Sequence, residues 1–152
     1  MAVATAPVST RRTPHEQSMR TTRPIKATAA TYYVGAMVCI DATGFVVKAS
    51  DTAALIFAGI CAGGKGGALK EIVIAAGGAD GEQEMDVDRP RYFCARHSGL
   101  VRADEGKLVF AVDDQLVALA ATTTNDITVG RINRWISATE VEIETLPFGQ
   151  IA

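Results

Sequence analysis

The chain has 152 residues and a mass of 16.0 kDa, the size of one domain with a real core. Hydrophobic residues make up 48%, charged residues 21% and aromatics 6%, which excludes a fibrous or wholly disordered chain. A net charge of −2 argues against a generally basic nucleic-acid binder, and three cysteines with no CxxC argue against a disulfide framework. No apolar run approaches the roughly 18–20 residues that span a bilayer, and no signal-like apolar stretch opens the sequence. The expectation is a cytoplasmically made, soluble protein with no membrane partner.

Residues 1–26 stand apart. They hold Arg11, Arg12, Arg20, Arg23 and Lys26 against the single acid Glu16, and three of the five prolines: Pro7, Pro14 and Pro24. The segment is thus +4, and the remaining 126 residues carry −6. With neither a helical nor a strand period, it cannot bury enough apolar surface to offset its conformational entropy. It reads as an extended basic arm, residues 1–30, ahead of a β domain over 31–152. Such an arm either is a solvated tail or docks on a neighbour. It has no aromatic side chain to stack bases, so no direct nucleic-acid partner is expected.

From residue 31 the pattern becomes short strands and turns. Residues 32–40 are apolar and end at Asp41-Ala42-Thr43-Gly44, a hairpin-type turn, before Phe45-Val46-Val47 restarts a strand. Residues 55–60 form a third apolar run. Residues 68–76 fit a helix through Leu69, Ile72 and Val73, and fit a strand through Ile72-Val73-Ile74 equally well. Runs 84–87 and 92–95 flank Arg89-Pro90, where proline should interrupt pairing. Glu84, Asp86 and Asp88 alternate with Met85 and Val87 and read as the wet face of a strand. A short helix is allowed near Ala103-Asp104-Glu105. Runs 108–112 and 116–119 flank the turn Asp113-Asp114-Gln115. The clearest pair is 127–136 and 140–146, where Val141, Ile143 and Thr145 oppose Glu140, Glu142 and Glu144. The fold class expected is all-β: a small barrel or sandwich of short antiparallel strands, with at most one or two short helices.

Candidate chemistry is thin. Gly59-Ile60-Cys61-Ala62-Gly63-Gly64-Lys65-Gly66 has the glycine and lysine spacing of a phosphate-binding loop. Gly66 stands where a Ser or Thr must reach Mg²⁺, so a structural loop is expected instead. Cys39, Cys61 and Cys94 lie in or beside apolar runs and read as small hydrophobes. Cys94 and His97 are three apart on a strand and point to opposite faces. Asp113 and Asp114 read as turn formers. No four-ligand zinc spacing exists, and neither a catalytic residue, a metal nor a cofactor is expected. Trp135, between Arg134 and Ile136, is either a sheet-face anchor or a subunit-interface anchor. Tyr32 and Tyr33 sit where they could pin the arm to the body.

Several segments in order resemble the capsid decoration, or head cement, proteins of tailed bacteriophages. They are Tyr33-Val34-Gly35-Ala36-Met37-Val38 with 41–49, Asp51-Thr52-Ala53 leading to Phe57-Ala58-Gly59-Ile60, and Gly77-Gly78-Ala79-Asp80-Gly81. The most telling is the run 99–117, closed by Val129-Gly130-Arg131-Ile132 and 137–143. The likeness spans about residues 32–146; the basic arm and the apolar 61–76 stretch depart from it. It implies a non-enzymatic virion protein on the outer surface of the expanded major capsid protein lattice, often a homotrimer. On that reading Arg11, Arg12, Arg20 and Arg23 pair with partner acids, Pro24 and Ile25 fix the arm's exit, and Tyr32, Tyr33 and Trp135 complete the contact. The alternatives are a tail or baseplate β module, or a small trimeric nucleotide-acting enzyme using Lys65 and Asp113-Asp114.

Overall fold

A computed structural model describes residues 5–7, 19–67 and 71–146. The protein is all-β, with two short 3₁₀ turns at Lys65–Gly67 and Arg102–Asp104. Its strands in chain order are β1 (Met19–Pro24), β2 (Ala30–Tyr33), β3 (Met37–Ile40), β4 (Val46–Lys48), β5 (Ile56–Gly64) and β6 (Glu71–Ile74). Six more follow: β7 (Glu84–Arg89), β8 (Tyr92–His97), β9 (Leu108–Ala111), β10 (Leu116–Ala118), β11 (Thr128–Trp135) and β12 (Glu140–Thr145).

The N-terminal half forms a five-stranded sheet in the order β1-β7-β5-β3-β4, with β2 and β6 as a separate ribbon. The C-terminal half is a closed barrel in the order β10-β8-β12-β11-β9. Its neighbours are antiparallel except β10 against β8, which are parallel at Leu116–Arg96 and Val117–His97. The all-antiparallel expectation fails there for a counting reason. Directions that alternate round a ring of five strands must repeat once. The barrel is filled by side chains such as Phe93, Val109, Val117, Val141 and Ile143, all nearly inaccessible to water.

The sheet is buried on both faces. Met37 and Cys39 of β3, with Phe57 and Ile60 of β5, join the barrel core. Val38 and Ile40, with Ala58 and Cys61, join a second core under the β2–β6 ribbon. A strand covered on both sides needs no alternation, which is why residues 37–40 are an unbroken apolar run. β6, by contrast, alternates exposed Glu71 and Val73 with buried Ile72 and Ile74. That settles 71–74 of the ambiguous 68–76 stretch as strand; residues 68–70 lie outside the described residues.

Two close backbone contacts depend on glycine. A Cβ on Gly130 in β11 would lie 2.2 Å from the Glu144 carbonyl oxygen, beside an irregularity in the β9–β11 register. Gly59 bulges in β5 at φ +143°, and a Cβ there would lie 2.2 Å from the Asp88 carbonyl oxygen.

The start of the body differs from the expectation. Residues 19–24, read above as part of a free arm, form β1 and pair antiparallel with β7 from Met19–Arg89 to Pro24–Glu84. Ile25 follows with no break. Its N–H bonds the Gln83 carbonyl at 2.9 Å, and the Lys26 N–H bonds the Val46 carbonyl at 3.0 Å. Ile25 thus bridges β4 in parallel and curls the sheet towards closure. The physical reason is Ile25 itself, which is 1% exposed in the second core. One fully buried isoleucine and a full ladder outweigh the low hydrophobicity of the residues before it.

Candidate functional site

The feature of the surface best tied to the sequence pattern is the seam between β1 and β7. Alternation on β7 points Met85 and Val87 into the second core and Glu84, Asp86 and Asp88 to the other face. That acidic face is not wet, as expected above: Asp86 is 5% exposed and Asp88 is 1%. Each acid takes a partner from an adjoining element. The Arg20 guanidinium donates to both Asp88 oxygens, from Nε at 2.8 Å and from its terminal nitrogen at 3.0 Å. The Thr22 hydroxyl donates to Asp86 Oδ1 at 2.8 Å, and the Gly66 N–H donates to Asp86 Oδ2 at 3.1 Å. Lys65 Nζ lies 3.4 Å from Glu84 Oε1. Arg20 stands directly opposite Asp88, and Thr22 opposite Asp86, so the register and the chemistry agree. The Asp88 bond and charge raise the Arg20 pKa further above its ordinary value.

The same contacts engage the donors of the phosphate-loop pattern within the chain. The Gly66 N–H and the Lys65 ammonium, which a phosphate would need, are engaged by Asp86 and Glu84 of this chain. The glycine-rich segment cradles an internal carboxylate.

Just past the seam, Lys26 bridges Asp80 at 3.3 Å and Asp41 at 3.5 Å, and the Ala27 N–H donates to Asp80 at 2.8 Å. These bonds hold Asp80 below its usual pKa, chiefly through the Ala27 N–H. The C-terminal end of β1 is therefore fixed by Ile25, Lys26 and Ala27 together.

The other candidates fall as follows. Arg11 and Arg12 lie outside the described residues. Arg20 spends its charge on Asp88 of its own chain rather than on a partner acid. Arg23 and Pro24 are half-buried in β1. Ile25 and Tyr32 are 1% and 2% exposed, so their side chains present no surface to a partner. Burial also pushes the Tyr32 hydroxyl up to about 12. Tyr33 is half-buried in the ribbon. Trp135 is half-buried on the barrel: its indole N–H donates to the Leu100 carbonyl at 2.9 Å, and Arg102 lies 5.1 Å over its ring. That fixes it as a sheet-face anchor within this chain while leaving part of the ring at the surface.

Several titratable groups inside the body hold structural contacts or are buried in neutral form. Burial pushes the Cys39 thiol up to about 12 and Cys61 to about 11, so both are protonated at neutral pH. His97 uses one ring nitrogen against the Ser137 carbonyl at 2.8 Å, and the other accepts the Leu100 N–H at 3.2 Å. Asp113 Oδ1 accepts the N–H groups of Gln115 and Leu116 at 2.9 and 2.8 Å, the turn its sequence position predicts. The Asp114 carbonyl accepts the Met37 N–H at 2.7 Å and ties the barrel to the sheet. Among the described residues no group of three His, Cys, Asp or Glu side chains could hold a metal ion. Among them, too, no helix is long and apolar enough to cross a membrane.

Sequence reasoning missed the acidic row as the face on which β1 docks. A usable signal existed: Arg20-x-Thr22 has the spacing of Asp86-x-Asp88 with complementary donors. Comparison of the chain with protein-family models, with curated proteins and with solved structures found no match.

Proposed function

We propose that the chain is a structural virion protein: a capsid decoration protein that binds the outer surface of an expanded major capsid protein lattice. The observation that carries the reading is a small all-β body, −3 over residues 19–152, whose first described strand β1 lies at a sheet edge and is preceded by a segment of net +1 that holds Arg11 and Arg12. The resemblance of residues 32–146 to head cement proteins supports it.

The mechanism is physical. Genome packaging loads a thin shell, and the joints between capsomers open first. A protein that grips only the expanded lattice stabilises that state by mass action. Body and extension act as two linked contacts, so each raises the effective concentration of the other. Arg11 and Arg12 supply charge to the extension's contact, with exposed ion pairs contributing about 0–1 kcal/mol each. Three copies around a lattice axis multiply the contacts.

The test is to mix the purified protein with expanded, undecorated shells and image them. Saturating added density that follows the lattice symmetry is expected. Shells that stay bare at high protein concentration would overturn the reading. A handful of copies per purified particle, rather than hundreds, would place the chain in a tail or baseplate instead.

A further inference from the structure

The two halves of the fold share one ring of strands. The barrel runs β8-β12-β11-β9-β10 and closes where β10 returns to β8 in parallel. The N-terminal sheet runs β1-β7-β5-β3-β4, and the parallel bridge between Ile25 and Val46 brings β4 back to the end of β1. Taken in chain order, β1, β3, β4, β5 and β7 occupy the places of β8, β9, β10, β11 and β12.

The match extends to single residues. Val38 of β3 pairs with Gly59 of β5, a register step follows, and Cys39 pairs with Phe57. Val109 of β9 pairs with Gly130 of β11, a step follows, and Phe110 pairs with Thr128. On the other side of β5, Cys61–Val87 and Gly63–Asp86 enclose a second step, as Ile132–Ile143 and Arg134–Glu142 do beside β11. Gly59 and Gly130 each press on the next strand, where a Cβ would lie 2.2 Å from the carbonyl oxygen of Asp88 or Glu144. Gly35 and Gly106, with left-handed backbone at φ 91° and 88°, donate to the carbonyls of Cys61 and Ile132, each at 2.8 Å. The closing bridge agrees too: Ile25–Val46 stands where His97–Val117 stands in the barrel. Val38, Val46, Cys61, Met85 and Val87 face the second core where Val109, Val117, Ile132, Val141 and Ile143 face the barrel core.

We propose that the chain is two tandem copies of one five-stranded barrel module, the first with an insertion between its last two strands. A ring of five strands does not by itself require register steps at the same two places around a close-packed glycine. Such irregularities are built features of a particular sequence family. The sequence carries the same imprint. Residues 35–61 overlie 106–132 without a gap, and seven of the 27 are identical, against about two expected from this composition. Glu84-Met85-Asp86-Val87-Asp88 likewise matches Glu140-Val141-Glu142-Ile143-Glu144 in its alternation of acid and apolar residues. The insertion is plain from the connections: nineteen residues, 65–83, join β5 to β7, and four, 136–139, join β11 to β12. β6 lies inside it and lends Ile72 and Ile74 to the second core. β1 is the counterpart of β8 and so belongs to the first module. The inference is independent of which partner the chain binds.

The test is a library of every single substitution in the full chain, scored by the protease resistance of the displayed protein. The tolerance profile of residues 35–61 should match the rest of the chain best at an offset of 71 positions, and that of 84–88 at an offset of 56. Alanine should be depleted about fivefold or more at both Gly59 and Gly130, and at both Gly35 and Gly106. A best match at another offset, or intolerance confined to one member of each glycine pair, would overturn the proposal. Amide exchange of the unsubstituted ¹⁵N-labelled chain is a second measurement that no folding failure can blur. The N–H groups of Gly35, Cys61, Gly106 and Ile132 are all bonded across their rings and should exchange at least about 100-fold more slowly than exposed loop amides. Fast exchange at Gly35 and Cys61 beside slow exchange at Gly106 and Ile132 would deny the N-terminal half its ring and overturn the proposal as well.

Discussion

Ile25→Ala is the perturbation that most directly tests where this body begins. Ile25 is 1% exposed, belongs to the second core and forms the one bridge, among the described residues, between β4 and the β1 side of the sheet. The substitution removes three carbon groups, worth about 2.4 kcal/mol at roughly 0.8 kcal/mol each. A residual void of about 60–80 Å³, at ~24 cal/mol per Å³, adds about 1.5–2 kcal/mol if the site relaxes little. The sum, about 4 kcal/mol, lies inside the range of about 2–5 kcal/mol for buried Ile-to-Ala changes. With an m value of about 2 kcal/mol/M, the urea midpoint should fall by about 2 M. Trp135, half-buried on the barrel, reports the transition by fluorescence, and Ile25→Val should move the midpoint by about a quarter as much. If Ile25 were only the root of a free arm, its truncation would leave the isolated protein unchanged. A midpoint shift below about 0.3 M, at constant m, would refute the placement of Ile25 in the core.

The seam and the glycines give further tests. Arg20→Ala leaves the 1%-exposed Asp88 without its bidentate partner; because Arg20 is half-exposed and water can enter, the cost should be only about 1–2 kcal/mol by urea unfolding, and Arg20→Lys should recover less than half of it. Gly130→Ala forces a Cβ against the Glu144 carbonyl and should cost about 1–3 kcal/mol or more, with a lower melting temperature in calorimetry. Acid should destabilise the fold: Asp41, held down by the Thr43 hydroxyl, Asp51 and Asp80 by backbone N–H groups, and Asp104 by Lys107, all have pKa values below the ordinary Asp range. A depressed folded pKa gives stability that is present above the unfolded pKa of about 3.9 and lost as pH falls through the folded value, so melting temperature should be flat down to about pH 5 and then drop. A melting temperature that rises below pH 4 would contradict those contacts. Cys39 and Cys61 should resist iodoacetamide at pH 8 in the native state and react on unfolding in urea, as mass spectrometry would show.

How far the sequence carries depends on whether a signal is local. The alternation of residues 140–145, the Asp113 turn and the break at Pro90 are set by neighbours within a few residues, and the strands follow them closely. The double burial of β3 also leaves a local mark, an unbroken apolar run, although its meaning appears only with both faces covered. The seam was opaque because its halves lie more than sixty residues apart: Arg20 meets Asp88 and Thr22 meets Asp86. Read alone, Glu84, Asp86 and Asp88 have the pattern of a solvated face, and residues 19–24 have the composition of a tail. Only the pairing of the two converts charge on each side into a buried contact. The cleft between sheet and barrel, lined by residues 54–57, 89, 125–128 and 146, is further out of reach, since its residues come from four separate stretches of chain.

The placement of β1 bears on how a tether at the N-terminus would transmit force. The strand offers β7 six registered residues, and its far end is locked by Ile25 in the core and by Lys26 between Asp41 and Asp80. A pull along the strand axis loads the whole ladder at once, so no single bond must carry it. A pull across the axis opens pairs one at a time from the Met19 end, and the Arg20–Asp88 pair is met almost first. A charge-assisted bidentate contact is the strongest bond available at that point. The sheet behind it is covered on both faces, so it resists bending when the strand is loaded. Under an axial load, an extension anchored in this way passes tension into the middle of the molecule rather than peeling its edge.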